Sequence, residues 1–336
     1  MQHEKESDPL DNTRLEGERI AVLVGGPSAE AAVSRVSGAG VAEALREVGA
    51  VVEVLEVDRT LASRLAEGPP DVVFPALHGP PGEDGTIQGL LTMLGLPYVG
   101  SDVHASAFAM DKARAKDVFR AIGLPVADDA SVGRDWDETT IATLVERLGE
   151  RVVVKPCRQG SALGVGFADD AQSLAGALDA ALALDTQVLV EARIDGREIT
   201  VGVLEERDEQ GSIRRIAHPV IEIVTPRGDW YDYEHRYTAG ASEHRVPASL
   251  PDACARRLQQ IAVDAHVALG CRDLSRADFI VTGDDDIVLL EVNTLPGMTP
   301  TSLYPDGAAA LGIAFPELLA RLVRNARRRG PDLPLG

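Results

Sequence analysis

Two short stretches carry side chains that together could hold a metal-bound phosphate. They read "SRADFIV" at 275–281 and "IVLLEVN" at 287–293, and "TLPGMTP" follows the second. "TGDDD" between them is a turn-forming run, so the pattern predicts an antiparallel hairpin. With a loop over Gly283–Asp286, Thr282 faces Ile287. That register sets Asp278 opposite Glu291 and Arg276 opposite Asn293. Side chains two apart share a face of a strand, so these four residues form one polar patch. A slip of one residue would scatter them over both faces. Directly opposed carboxylates repel unless a cation sits between them. The all-oxygen set Asp278, Glu291 and Asn293 suits a hard ion, Mg²⁺ or Mn²⁺, and not zinc. Magnesium on so few carboxylates shares its coordination with substrate phosphates. The patch therefore reads as a nucleotide–metal site, in preference to a solvated face of an amphipathic hairpin.

Such a site also needs cations and backbone N–H groups for the phosphates. "VVVKPCRQGSALGVGF" (152–167) offers both, with Lys155 at a strand end followed by Gly160, Gly164 and Gly166. It is not a Walker A loop, because the lysine precedes the glycines. A glycine-rich flap closing over phosphates is the functional reading; an ordinary turn is the plain one. Lys112 of "MDKARAK" lies on a predicted helix, where a surface lysine is the default. Glu191 and Glu198 flank a turn in "LVEARIDGREITV" and could hydrogen-bond adenine and ribose.

The elements that must position these groups alternate in kind. "RIAVLVGG" (19–26) reads as a buried-type strand, and "AVVEVLEVD" (50–58) and "DVVFPAL" (71–77) read as a second and a third. Between the first two, residues 28–49 have helical periodicity with Ser28 as N-cap. Strand–helix alternation of this kind predicts a parallel sheet over 19–104, Rossmann-like, with helices on both faces. From 105 to 193 a helix "SAFAMDKARAKDVFRAIG", a second helix "DETTIATLVERLG", strands "RVVVKP" and "QVLVEAR" and the flap predict a small α+β module. Strands dominate from 194 to 326, with a helix at 251–269. The fold class is thus α/β followed by α+β.

The chain has 336 residues and a formal charge of −20, which argues against nucleic acid and anionic membrane as partners. No apolar run is long enough to span a bilayer. Residues 1–18 are polar and charged without an apolar core, and read as a floppy extension and not an export signal. Three cysteines without a C-x-x-C pair suit the reducing cytoplasm. The basic end over 327–336 reads as a solvated helix terminus and tail.

"GGPSAEAAVS", "ALHGPPGEDGTIQGLL", "YVGSDVHASAFAMDK", "VVVKPCRQGSALGV", "YDYEHRY" and "LLEVNTLPGMTPTSLYP" occur in one order along 19–325. In this the chain resembles the D-alanine–D-alanine ligases of the ATP-grasp superfamily. The resemblance implies a pre-ATP-grasp domain followed by the two-part ATP-grasp fold. It implies that ATP phosphorylates one D-alanine and that the amine of a second then displaces phosphate. Asp278, Glu291 and Asn293 would hold two Mg²⁺ (or Mn²⁺) ions. Lys112, Lys155, Gly160 and Arg236 would meet phosphates, and Glu191, Ala192, Ile194 and Glu198 the adenosine. Glu30 would pair with the ammonium of the first D-alanine, beside His78. Arg276 and the Gly297 N–H would form an oxyanion site, the use the patch leaves for an unpaired cation. Ser302 and Leu303 would meet the second D-alanine, and Ser161 and Tyr237 would latch a loop over the site through Glu30. A homodimer working in the cytoplasm is also implied.

Some positions depart from the family's pattern. Ala31 and Ala32 stand where charged residues are common, the flap reads "QGSALG" with Gln159, Ala162 and Leu163, and Arg236 stands where lysine is common. Cys157 replaces a small residue and reads as a structural thiol. These changes leave the nucleotide machinery intact and bear on the amino-acid pair, so a dipeptide ligase for another small pair is the alternative. A nucleotide-binding protein without catalysis is disfavoured by the complete polar patch. A dinucleotide oxidoreductase is disfavoured because "GGPSAE" lacks the G-x-G-x-x-G spacing.

Overall fold

The structure, a computed structural model, describes residues 14–226, 238 and 240–333. The apolar runs RIAVLV and VVFP form β1 (Arg19–Val24) and β3 (Val72–Pro75), buried except for Arg19. β2 (Val51–Glu56) pairs with the other side of β1, giving a parallel sheet of order β2-β1-β3. Parallel neighbours need crossovers, and α1 (Ala31–Glu47) and α2 (Leu61–Glu67) supply them; α3 (Thr86–Met93) follows.

Two expectations are corrected here. Ser28 does not cap α1. The cap position is Glu30, and the Ser28 hydroxyl instead accepts the Glu30 N–H at 3.1 Å. Nor does the chain stay loose as far as residue 18. Leu15 is buried in the first core and its N–H donates to Val48 O at 2.7 Å, while Glu18 O accepts from Val51 N at 2.8 Å. An apolar side chain with a core to enter and a strand edge beside it is enough to order the segment.

The next unit begins with a break that the periodicity hid. The expected single helix is two, α4 (Val103–Met110) and α5 (Lys112–Ala121), divided at Asp111. Asp111 leaves helical geometry (φ −86°, ψ 96°) and its carboxylate accepts the Arg114 N–H, capping α5. β4 (Asp129–Gly133), β5 (Val152–Pro156), β6 (Gly166–Ala168) and β7 (Gln187–Ala192) form an antiparallel sheet of order β4-β7-β5-β6. α6 (Glu138–Leu148) and α7 (Ala171–Leu182) both start on capping boxes, and their Leu144, Leu174 and Leu178 pack with Val152, Val154 and Val190.

The third sheet contains β8 (Arg197–Arg207), β9 (Ile213–Ala217), β10 (Ile221–Val224), β11 (Glu243–Arg245), β12 (Leu274–Val281) and β13 (Ile287–Asn293). Its order is β11-β10-β8-β12-β13, with β9 also on β8. α8 (Asp252–Leu269) covers one face through Leu258, Ile261 and Ala265. After α9 (Leu303–Ala310), α10 (Phe315–Arg329) returns to the first unit, where Leu318, Leu322 and Val323 share a core with Val41, Leu45 and Phe74. The basic end is solvated only in part, at Arg327 and Arg328. Arg329 is largely buried, pairs with Asp273 at 2.7 Å and donates to Tyr98 O, and Asp332 pairs with Arg272 at 2.7 Å. Among the described residues no helix is long and apolar enough to cross a membrane.

Candidate active site

β12 and β13 bring the four polar residues together in the expected register, Arg276 opposite Asn293 and Asp278 opposite Glu291. Nearer the turn the pairing differs. Val281 faces Ile287 and Phe279 faces Leu289, so the loop starts at Thr282, and a bulge after Asp278 takes up Leu290. Phe279 and Leu289 both enter the core while Leu290 is left over, and it lines the adjoining cavity. A bulge beside a site re-aims side chains in this way.

Arg276 is not the unpaired cation that was expected. Its planar fork grips Asp278, Nε to Oδ1 and Nη2 to Oδ2, both at 2.8 Å. Asp278 also accepts from Thr200 Oγ1 at 2.6 Å and Asn293 Nδ2 at 3.0 Å. Across the pair, Glu291 meets Lys112 Nζ at 3.2 Å, and Lys112 also donates to Gln159 O at 2.7 Å. Each of the opposed carboxylates thus carries a cation, as electrostatics requires of such neighbours. Among the described residues no three His, Cys, Asp or Glu side chains cluster as a metal site. Glu291 and the Asn293 amide oxygen offer hard donors, and Asp278 joins them by giving up one of its four hydrogen bonds; the all-oxygen set fits magnesium sharing its coordination with phosphate.

A cavity of about 380 Å³ opens beside this pair. Val153, Val165, Phe167, Ile280 and Leu290 give it apolar surface suited to a flat base, set among charged groups that include Arg193 and Asp195. Lys112, Lys155, Gly160, Ser161, Glu191, Ala192, Ile194, Glu198 and Glu291 all line it. The Ala192 N–H is already used, donating to Asp128 O at 3.0 Å. Lys155 Nζ lies 2.5 Å from Glu191 Oε2. Burial disfavours both charges. For Glu191, Lys155 and Lys116 outweigh burial and hold the carboxyl at about 2; for Lys155, the Glu191 carboxylate outweighs it and raises the ammonium. Both are ionised at neutral pH.

On the far side of the flap stands Glu30, which accepts a hydrogen bond from Ser161 Oγ. Gly79 and Gly160 press on it from two directions. A Cβ at either would lie 2.7 or 2.9 Å from Glu30 Oε2. Ser161 and Ala162 both adopt left-handed backbone (φ 48° and 58°), uncommon for residues with a side chain. His78 is buried with Nε2 3.1 Å from Ser37 Oγ; burial first, and Arg276 second, push it down to about 4, so the imidazole is neutral. Gly297 sits between His78 and Ser302, where a Cβ would be 2.7 Å from Ser302 Oγ. The Ser302 hydroxyl accepts the Thr299 N–H at 2.9 Å. Leu303 opens the helix that follows. Its side chain is buried with Ile221 and Ile223 in a small core, one residue beyond Ser302. Arg236 and Tyr237 lie outside the described residues.

Two charged residues of this region were not read from the chain. Glu83 accepts the Gly79 N–H at 2.6 Å; burial, then the neighbouring Glu30, raise it to about 8, so it is protonated at neutral pH. It was visible as the first of two acids, Glu83 and Asp84, in the glycine turn of "HGPPGEDG". Lys116, fully buried, bonds Glu191 and Asp129. Its signal was the i,i+4 spacing from Lys112, which stacks two like charges on one helix face and calls for carboxylates opposite.

Two antiparallel sheets meet at a cavity lined with lysines and carboxylates, a glycine-rich flap borders it, and a parallel unit presents Glu30 from the other side. This fold and site define an ATP-grasp enzyme. Residues 51–101 match the family model for the D-ala D-ala ligase N-terminus and 118–324 that for the D-ala D-ala ligase C-terminus. The chain belongs to the D-alanine–D-alanine ligase family. It is 45% identical over 312 residues to D-alanine–D-alanine ligase of Citrifermentans bemidjiense, covering 93% of this chain and 97% of that protein. The D-alanine–D-alanine ligase of Bacillus anthracis solved with ATP superposes with a TM-score of 0.80 at 29% identity, over 93% of this chain and 98% of the other. The VanG D-Ala:D-Ser ligase of Enterococcus faecalis gives 0.79 at 30% identity, over 93% and 100%.

Proposed function

We propose that the enzyme joins two D-alanines, with ATP converted to ADP and phosphate. A carboxylate oxygen of the first D-alanine attacks the γ-phosphorus as the bond to ADP breaks, leaving an acyl phosphate. The neutral amine of the second attacks the acyl carbon, the carbonyl electrons move to oxygen, and their return expels phosphate, which takes up the proton that the nitrogen gives up. One observation carries this reading. Glu291, which faces Asp278 across the hairpin, pairs with Lys112 at 3.2 Å on the wall of a cavity that Lys155, Glu191 and Glu198 also line.

Lys112 and Lys155 can follow the charge of the transferring phosphoryl group, where catalysis is mostly positioning and electrostatics. Asp278, Glu291 and Asn293 would hold two magnesium (or manganese) ions, which when bound would neutralise phosphate charge. Glu30 orients the first ammonium. Arg276 and the Gly297 N–H take the developing oxyanion, beside a neutral His78 that adds no competing charge. Ser302 holds the second carboxylate. Gly160 and Ser161, latched to Glu30, exclude the water that would hydrolyse an acyl phosphate. The same reading makes the enzyme a cytoplasmic homodimer that binds neither nucleic acid nor membrane, in keeping with its charge of −20.

ADP formation measured over a panel of D- and L-amino acids, with the product identified by mass, tests it. D-alanine should stimulate turnover most and give the homodipeptide. Stimulation by another amino acid, with D-alanine inert, would replace this substrate assignment with a ligase for a different small pair.

A further inference from the structure

Asp129 faces Glu191 directly across β4 and β7, a second pair of opposed carboxylates in this protein. Here a lysine separates them. Lys116 Nζ lies 2.8 Å from Asp129 Oδ2 and bonds Glu191 Oε1, while Arg120 pairs with Asp129 from outside. The other Glu191 oxygen, Oε2, is held by Lys155 at 2.5 Å. The two lysines differ in what else they can reach. Lys155 lines the cavity; Lys116 is fully buried on α5, is not among the cavity's lining residues, and has no route to a ligand there.

An ammonium can leave a buried carboxylate for a phosphate only if the carboxylate keeps a partner, because a stranded buried charge is strongly unfavourable. In the row Arg120, Asp129, Lys116, Glu191, Lys155, removing Lys155 leaves two cations facing two anions. We propose that Lys116 is a positioning residue for nucleotide binding, a fixed counter-charge that holds Glu191 in place while Lys155 transfers to the phosphates of ATP. This rests on the phosphate role given to Lys155 above. Because Lys116 grips Oε1 and Lys155 grips Oε2, the transfer frees one oxygen toward the adenosine side without releasing the other.

The test is steady-state kinetics on the full chain. Lys116→Met makes Lys155 the cation that Glu191 must keep, so the KM for ATP should rise at least tenfold while that for D-alanine stays within about twofold. In the background of Glu191→Gln, which lacks the carboxylate that detains Lys155, adding Lys116→Met should change the KM for ATP by less than about twofold relative to Glu191→Gln alone. A purely structural lysine predicts the same rise in either background. Should Lys116→Met not fold, the comparison of Lys116→Met/Glu191→Gln with Glu191→Gln decides alone. Matching ATP KM values in that pair uphold the inference, and a soluble double variant with a KM tenfold or more above that of Glu191→Gln overturns it. Lys155→Ala separates the two layers. If it leaves the KM for ATP unchanged, the phosphate role of Lys155 is wrong; if it raises the KM while Lys116→Met does not, only the counter-charge inference fails.

Discussion

Glu291→Gln separates a metal-holding carboxylate from one that merely pairs with a lysine. Lys112 Nζ lies 3.2 Å from Glu291, with the side chains 14% and 24% exposed. At an effective dielectric of about 20, a pair at this distance attracts with about 5 kcal/mol before desolvation is charged against it. Desolvation and the second Lys112 bond, to Gln159 O, reduce what the fold loses to about 1–2 kcal/mol. The glutamine is isosteric and still offers an oxygen, so the variant should fold with a modestly lower melting temperature. Turnover should suffer more. Losing one preorganised charge from a phosphoryl-transfer site removes about 3–4 kcal/mol of transition-state stabilisation, or roughly 100- to 1,000-fold in kcat. The assay is D-alanine-dependent ADP release over a Mg²⁺ titration, with thermal unfolding alongside. The Mg²⁺ needed for half-maximal rate should rise in the variant. Turnover within about threefold of the parent, at an unchanged Mg²⁺ requirement, would refute the metal reading of the hairpin.

Four further outcomes are expected. Gly160→Ala puts a methyl 2.9 Å from Glu30 Oε2, the movable end of a side chain, so stability should hold while the KM for the first D-alanine rises about tenfold in initial-rate kinetics. Glu83, raised to about 8, is protonated in the folded protein and ionised in the unfolded chain between pH 6.5 and 8, so its contribution to stability falls by about 2 kcal/mol as pH rises through that window. Denaturant titrations should show this slope in the parent and not in Glu83→Gln. His78 and His218, both lowered to about 4 by burial, act oppositely, and each should remove up to about 3 kcal/mol as pH falls from 6.5 toward 4 in either protein. Cys157 is a buried thiol pushed up to about 12, so treatment with an alkylating reagent at pH 8 should leave activity intact; rapid inactivation with label on Cys157 would contradict this.

Much of the site was legible because strand geometry is periodic. Asp278, Glu291, Arg276 and Asn293 could be set on one face from spacing alone, and the pairing at those positions is as expected. The loop length was not legible, and the extra residue in it is cancelled by the bulge at Leu290, a compromise made by Phe279 and Leu289 competing for the core. The break at Asp111 was hidden because apolar periodicity runs through it; the cap that marks it is a single side-chain bond.

What the chain alone determined is whatever depends on neighbours in sequence: strand faces, the glycine-rich flap after Lys155, and the two carboxylates that demand a cation. Which cation answers each carboxylate was decided only in three dimensions. Lys116 and Lys112 come from a helix far from the strands they serve, and α10 returns from the end of the chain to complete the first core. Charge pairing and burial act through space over a few ångströms, between residues tens to hundreds of positions apart, and no local pattern encodes that distance.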